Sequence, residues 1–286
     1  MKIKLSDSFT YKKLLRFALP SVVMMVFTSL YGVVDGLFVS NFAGKTAFTA
    51  VNFIMPFIMI LGAVGFMFGA GGSALISKTL GEKKPEKANA LFSLFVYSSF
   101  ALGVVLAVAG VFAIRPIASL LGAEGNMLSD CVLYGRIILI ALPFYMLQFE
   151  FQSFFVTAEK PNLGLAVTVI SGCTNIVLDA LLVGVFKWGV AGAAAATAAS
   201  QVVGGIIPLC YFFRANSSLL RLGKTRFDGK SLVKACTNGS SELLSNISMS
   251  IVSMLYNSQL LRYIGEDGIA AYGVLMYVNF IFFAVY

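Results

Sequence analysis

Eight apolar runs, each long enough to cross a bilayer, divide this chain at about 15–40, 47–77, 89–114, 131–157, 163–186, 190–213, 235–262 and 268 to the end. A spanning helix needs about 20 apolar residues, because the hydrocarbon core is about 30 Å thick and each residue rises about 1.5 Å. Inside lipid every backbone polar group must find its partner within the protein, so such runs fold as a helical bundle. Composition points the same way. Charged residues make up 12% of the 286, and the mean hydropathy is +0.88, whereas a soluble domain carries about 25% charge. The expected fold class is an all-α membrane protein whose main partner is the lipid bilayer.

The connections alternate in charge. Lys2, Lys4, Lys12, Lys13 and Arg16 precede the first run, Lys78, Lys83, Lys84 and Lys87 follow the second, and Lys160 follows the fourth. Arg214, Arg221, Lys224, Arg226, Lys230 and Lys234 follow the sixth. The opposite connections hold Lys45, Arg115, Lys187 and Arg262, with Arg136 inside the fourth run. The positive-inside rule then predicts a multi-pass protein of the inner (plasma) membrane with a cytoplasmic N-terminus. The formal net charge of +8 is thereby a topology signal, and no nucleic-acid partner is expected. There is no His, and Cys131, Cys173, Cys210 and Cys236 stand singly, so zinc sites and disulfide frameworks lack support. No short apolar region with a small-residue cleavage site follows the N-terminal lysines, so no cleaved signal peptide is expected.

The longest polar stretch, 216–234, follows six runs and predicts a cytoplasmic linker between an N-lobe (1–215) and a second unit (235–286). Sliding the chain by 221 positions puts Lys234 on Lys13, Ser250 on Ser29, Gly265 on Gly44 and Ala271 on Ala50. An even number of spans between the copies gives both one orientation, the parallel-repeat construction of several transporters. A full second copy needs about four further spans, and the chain ends at Tyr286 inside an apolar run. The sequence therefore reads as a fragment whose remaining helices are expected in cis.

Charge within the bilayer costs at least ~2.5–3.5 kcal/mol at a helix centre, so each intramembrane acid needs a reason. Asp35 closes a polar stripe with Ser21, Thr28 and Tyr31, above Pro20, which removes one helical hydrogen bond and permits a bend. Thr168, Ser171, Asn175 and Asp179 form a second stripe, and Thr197 and Gln201 stand one turn apart beyond the small-residue run at 191–196. At helical rise, Asp35, Asp179 and Thr197 all fall in the outer half of the bilayer. Two carboxylates, an amide and a hydroxyl at one level can share protons or coordinate a hard monovalent cation such as Na⁺. The structural alternative is that each acid satisfies a helix–helix contact. Glu242, Asn246 and Asn257 belong to a further stripe that is expected to face a cavity, with Tyr31, Gln201 and Tyr256 as further cavity candidates. Glu242, near the cytoplasmic end, also reads as snorkelling, and Glu150, between Gln148 and Gln152 toward the inner end of its run, reads as a helix–helix contact or as snorkelling. Gly62, Gly65, Gly69, Gly71 and Gly72 read as close packing, since no strand precedes them and no phosphate-loop lysine follows.

Several of these segments together resemble one family. Arg16-Phe17-Ala18-Leu19-Pro20 with Tyr31-Gly32-Val33-Val34-Asp35-Gly36-Leu37-Phe38 is similar to the first helix of multidrug and toxic compound extrusion (MATE) exporters. Leu80-Gly81-Glu82-Lys83 resembles their loop after the second helix, and Asn175-Ile176-Val177-Leu178-Asp179 with the run from Val190 to Thr197 resembles their fifth and sixth. Gly268-Ile269-Ala270-Ala271-Tyr272-Gly273 resembles the start of the eighth. The resemblance implies a MATE-type bundle with a complete six-helix N-lobe plus the first two helices of the C-lobe. It also implies a secondary antiporter exporting cationic amphipathic compounds in exchange for H⁺ or Na⁺, without enzymatic activity or cofactor. Asp35, Asn175, Asp179 and Thr197 would bind the coupling cation, and Tyr256 stands where the repeat pairs with Asp35.

Three rivals differ in what they require. A lipid-linked oligosaccharide flippase takes an anionic substrate and calls for basic residues at mid-depth, where this chain has acids. An intramembrane aspartyl protease calls for Tyr-Asp and Gly-x-Gly-Asp, against Val34-Asp35 and Leu178-Asp179 here. A non-transporting truncated remnant would keep every motif and move nothing.

Overall fold

The computed structural model describes residues 11–285. Lys2 and Lys4, used in the topology reading, and Tyr286 lie outside the described residues, as do the side chains of Lys12, Lys13 and Arg16. The helices are α1 (Tyr11–Phe38), α2 (Lys45–Gly81), α3 (Pro85–Leu120), α4 (Gly125–Thr157), α5 (Pro161–Leu178), α6 (Gly189–Phe213), α7 (Gly229–Asn238), α8 (Ser240–Tyr263) and α9 (Glu266–Val285). Two π-helical segments, Val39–Ala43 and Asp179–Val185, extend α1 and α5. Proline at the first turn starts α3 and α5, where its missing N–H has no helical acceptor to lose. The Asp228 carboxylate caps α7 by accepting from Lys230 N at 3.1 Å and Ser231 N at 3.3 Å.

Among the described residues, six helices are long and apolar enough to cross a membrane, all between Phe17 and Phe213. The seventh run, expected as one span over 235–262, is instead divided at Gly239 into α7 and α8. The cause is a crossing with α2. A Cβ on Gly239 would meet the Met67 main chain, and one on Gly71 would meet the Ala235 carbonyl, so backbone touches backbone there. The last residues of the expected linker are correspondingly helical.

Helix α4 is the hub, with α2, α3 and α6 around it. Glycines from all three grip one stretch of it. A Cβ on Gly69 of α2 would lie 3.1 Å from the Glu150 Cα, one on Gly103 of α3 would lie 2.8 Å from the Pro143 Cα, and one on Gly205 of α6 would lie 2.9 Å from the Phe144 carbonyl oxygen. Near the basic end, Phe92, Phe151, Phe154 and Phe212 form a dry aromatic core, with Phe92 and Phe212 centroids 5.0 Å apart.

Contacts between 45–52 and 266–273, segments matched by the 221-residue offset, have the pattern of a two-fold axis. With the offset of 221, Lys45 matches Glu266 and Thr46 matches Asp267. In the structure Lys45 pairs with Asp267, and Thr46 Oγ1 donates to Glu266 Oε2 at 3.0 Å, so each residue touches its neighbour's mate. Asn52 packs against Gly273, its own mate, as expected for a residue on the axis. Both repeats turn at a left-handed glycine, Gly44 at φ 93° and Gly265 at φ 81°.

Candidate functional site

Asp35 and Asp179 come from helices whose ends are rewound. Asp179 opens the π-helical segment of α5, and Asp35 lies one turn before that of α1. The two segments touch each other, and π-helical turns recur at functional sites because they re-aim side chains. The sequence-predicted quartet is assembled. Thr197 Oγ1 donates to Asp35 Oδ1 at 3.4 Å and accepts from Asn175 Nδ2 at 3.5 Å. The carboxyl groups of Asp35 and Asp179 lie within reach of one shared proton. Ser171 Oγ donates to the Ser200 carbonyl at 2.7 Å and ties α5 to α6 just below.

The site has more oxygen than donors. Asp179 and Asn175 are buried, and no protein N–H or hydroxyl donates to either Asp179 oxygen or to Asn175 Oδ1. Buried carboxylate oxygens without donors carry a heavy desolvation cost, and a proton or a small hard cation placed among them removes it. Two carboxylates, an amide and a hydroxyl, with neither sulfur nor imidazole, form a donor set for such a cation. No group of three or more His, Cys, Asp or Glu occurs among the described residues.

Aromatic residues that the sequence reading did not select complete the surroundings. Tyr134 of α4, buried, interacts with Thr197, and Tyr277 of α9 approaches Asp35. Gly36, beside Asp35, gives Tyr277 its place, since a Cβ there would lie 2.6 Å from the tyrosine Cζ. A glycine next to an intramembrane acid was the available signal for such a close approach. Tyr31, which the sequence reading named, faces Asp35 and Gln148.

The other candidates scatter. Pro20 is buried inside α1, which continues through it. Gln201 is buried one turn from Thr197 with Oε1 unpartnered, adjoining the site. The stripe on α8 divides: Glu242 is exposed, Asn246 Nδ2 donates to the Glu242 carbonyl at 2.8 Å, and Asn257 is buried and donates to the Asn52 carbonyl at 3.0 Å. Tyr256 is exposed and stacks on Tyr272 with centroids 5.7 Å apart, far from any carboxylate role. Glu150 does not snorkel. It is fully buried against α2 and α3, beside Ser99, because the hub position of α4 leaves its side chain no route to water.

Known proteins resemble this chain in sequence and fold. The chain is 29% identical over 268 residues to the multidrug export protein MepA of Staphylococcus saprophyticus, covering 93% of this chain and 59% of that protein. It is 27% identical over 266 residues to MepA of Staphylococcus aureus strain MRSA252, with 92% and 58% covered. The chain thus spans about three-fifths of the length of these curated relatives. A solved structure of the MATE multidrug transporter DinF-BH superposes with a TM-score of 0.89 at 25% identity, covering 99% of this chain and 66% of that one. The MatE family profile matches residues 20–181, more than half of the sequence, in agreement with the helical bundle and these relatives; the chain belongs to the MatE family.

Proposed function

We propose that the whole protein to which this sequence corresponds is a secondary antiporter of the inner membrane. Its N-terminus lies in the cytoplasm, and it exports cationic amphipathic compounds in exchange for H⁺ or Na⁺. The observation that carries this reading is the surplus of buried oxygens around Asp35 and Asp179. Two acids close together in low dielectric cannot both stay charged cheaply, so the site binds a cation whenever one is available. Loading favours the helix arrangement that brings the oxygens together, and release favours one that separates them. Pro20 and the two π-helical segments are where α1 and α5 can change course. The names of the relatives, multidrug export protein and multidrug transporter, support drug-like substrates, and an acidic site suits a cationic solute. Transport, with no bond made or broken in the substrate, needs no cofactor.

The test is dye uptake into everted membrane vesicles. With the N-terminus cytoplasmic, export appears as uptake of a cationic dye, driven by an imposed proton or sodium gradient. One of the two gradients should drive uptake in the parent and neither in Asp35→Asn. Gradient-independent uptake of equal rate in both proteins would overturn antiport.

A further inference from the structure

The segment between α6 and α7 is strapped to the basic end of α3. Arg221 N donates to Asn89 Oδ1 at 2.9 Å, Gly223 N to Ser93 Oγ at 3.0 Å, and Thr225 Oγ1 to the Ala90 carbonyl at 2.7 Å. The Tyr97 hydroxyl donates to the Gly223 carbonyl at 3.2 Å. Asn89, Ala90, Ser93 and Tyr97 rise along one side of α3, so the segment is held at each turn.

Strap and helix enclose an open cavity of ≈ 500 Å³. Its lining includes three cations, Lys87, Lys224 and Arg226, over an apolar floor of Leu91 and Leu94. One acid, Asp228, also lines it, but its carboxylate is engaged by the first turn of α7. The Ser231 hydroxyl, donating at 2.7 Å, and the α7 amides hold that carboxyl below its usual range, so it stays ionised and committed to the helix cap. Among the described residues, none of the three cations forms an ion pair within 4.0 Å, and Lys87 acts on the Asp228 carboxylate only at longer range. The lining thus keeps a surplus of positive charge beside an apolar surface.

Its level relative to the bilayer follows from the aromatics around it. Tyr97 and Phe213 are both partly exposed with rings 6.3 Å apart, and Phe227 on the strap is almost fully exposed. An exposed tyrosine such as Tyr97, at the basic end of a bundle, marks the headgroup level, and the exposed phenylalanines beside it present an apolar surface there. A ligand matched to this place carries a phosphate for the cations and an apolar body for the leucines, and it reaches the groove from the membrane.

We propose that the groove between α3 and the strap binds an anionic phospholipid, its phosphate held by Lys87, Lys224 and Arg226. Bound lipid clamps the strap, and with it the entry to α7, against the first six helices. This inference is independent of the export reading.

The experiment compares the full chain in nanodiscs of phosphatidylglycerol and of phosphatidylcholine, by thermal midpoint and by lipid retention in native mass spectrometry. Each cation near an anionic surface contributes about fivefold in affinity, so K87Q/K224Q/R226Q should lose on the order of 100-fold in phosphatidylglycerol retention. The added thermal stability in phosphatidylglycerol should vanish with it. K78Q/K83Q/K84Q, which removes three cations from the neighbouring loop, should retain the parental preference. Lys224→Gln alone should lose about fivefold and guards against a folding defect in the triple variant. Equal losses in the two triple variants would mean diffuse surface charge and overturn the site. So would the absence of any phosphatidylglycerol preference in the parent, or full stabilisation in phosphatidylcholine by inorganic phosphate alone.

Discussion

Replacing Gly71 by alanine adds a methyl group where two stretches of main chain already meet. The new Cβ would press on the Ala235 carbonyl and lie 2.7 Å from the Gly239 nitrogen. Neither obstacle is a side chain that can rotate away, so the crossing of α2 with the α7–α8 turn has to open. Overpacking a tight interior costs about 1–3 kcal/mol, and rigid backbone places Gly71→Ala near the upper end. Gly32→Ala supplies a control of opposite sign. Gly32 also lies inside a helix, but a Cβ there meets nothing within 4 Å. Exchanging glycine for alanine in a helix interior gains about 0.5–1 kcal/mol. The same gain applies at Gly71, inside α2, and leaves a net cost of about 2 kcal/mol. On the scale of about 2–4 °C per kcal/mol for chains of 150–250 residues, Gly71→Ala should melt roughly 4–8 °C below the parent. Gly32→Ala should melt slightly above it. Thermal melts in detergent, followed by far-ultraviolet circular dichroism, measure both. Coincident curves for the two variants would refute the claim that backbone contact at Gly71 holds α2 against the second repeat.

Two further outcomes follow from burial and charge. Glu150 is enclosed with Ser99 as its neighbouring polar group, so Glu150→Gln, which keeps its shape and can still meet that hydroxyl, should fold and melt within about 1 kcal/mol of the parent, while Glu150→Lys should fail to accumulate in membranes. A marked loss of stability in Glu150→Gln would show that the charged carboxylate itself is required. For topology, exposed Cys173 and Cys210 and half-buried Cys236 are first replaced by alanine. A cysteine at Lys84 should then resist an impermeant thiol reagent in intact cells and one at Asp267 should label, and the reverse pattern would invert the orientation.

The parts of this molecule that were legible in its sequence are those written in local pattern. Apolar runs gave the first six helices, because a bilayer imposes length and hydropathy on each helix separately. The cost of intramembrane charge singled out Asp35 and Asp179, and helical spacing added Asn175 and Thr197. What stayed hidden depends on contacts between distant segments. Gly239 interrupts the seventh run because α2 crosses there, and nothing near Gly239 in the sequence announces Met67 as its neighbour. Tyr134 and Tyr277 are two of 11 tyrosines and 26 phenylalanines, and helical spacing does not distinguish a tyrosine over the site from one facing lipid. Glu150 was placed by its position along the run, whereas its burial follows from α4 being surrounded on three sides. The stripe on α8 is real as a periodicity, yet its members serve a helix surface at Glu242 and a helix–helix bond at Asn257.

The central claim is that Asp35 and Asp179 form one cation-coupling site with Asn175 and Thr197 as neutral ligands. The most direct measurement is the initial rate of ethidium export from cells producing the complete transporter, as a function of pH and of Na⁺, with membrane levels of each variant matched. Asp35→Asn and Asp179→Asn should each lower the rate on the order of tenfold or more, by the scale on which ligand-shell losses reduce cation binding. Asn175→Ala and Thr197→Ala should keep transport but need a higher pH-dependent or Na⁺-dependent driving force, since both carboxylates remain. Parental export rates in both aspartate variants, with unchanged dependence on pH and on Na⁺, would contradict the account and leave the quartet a structural contact.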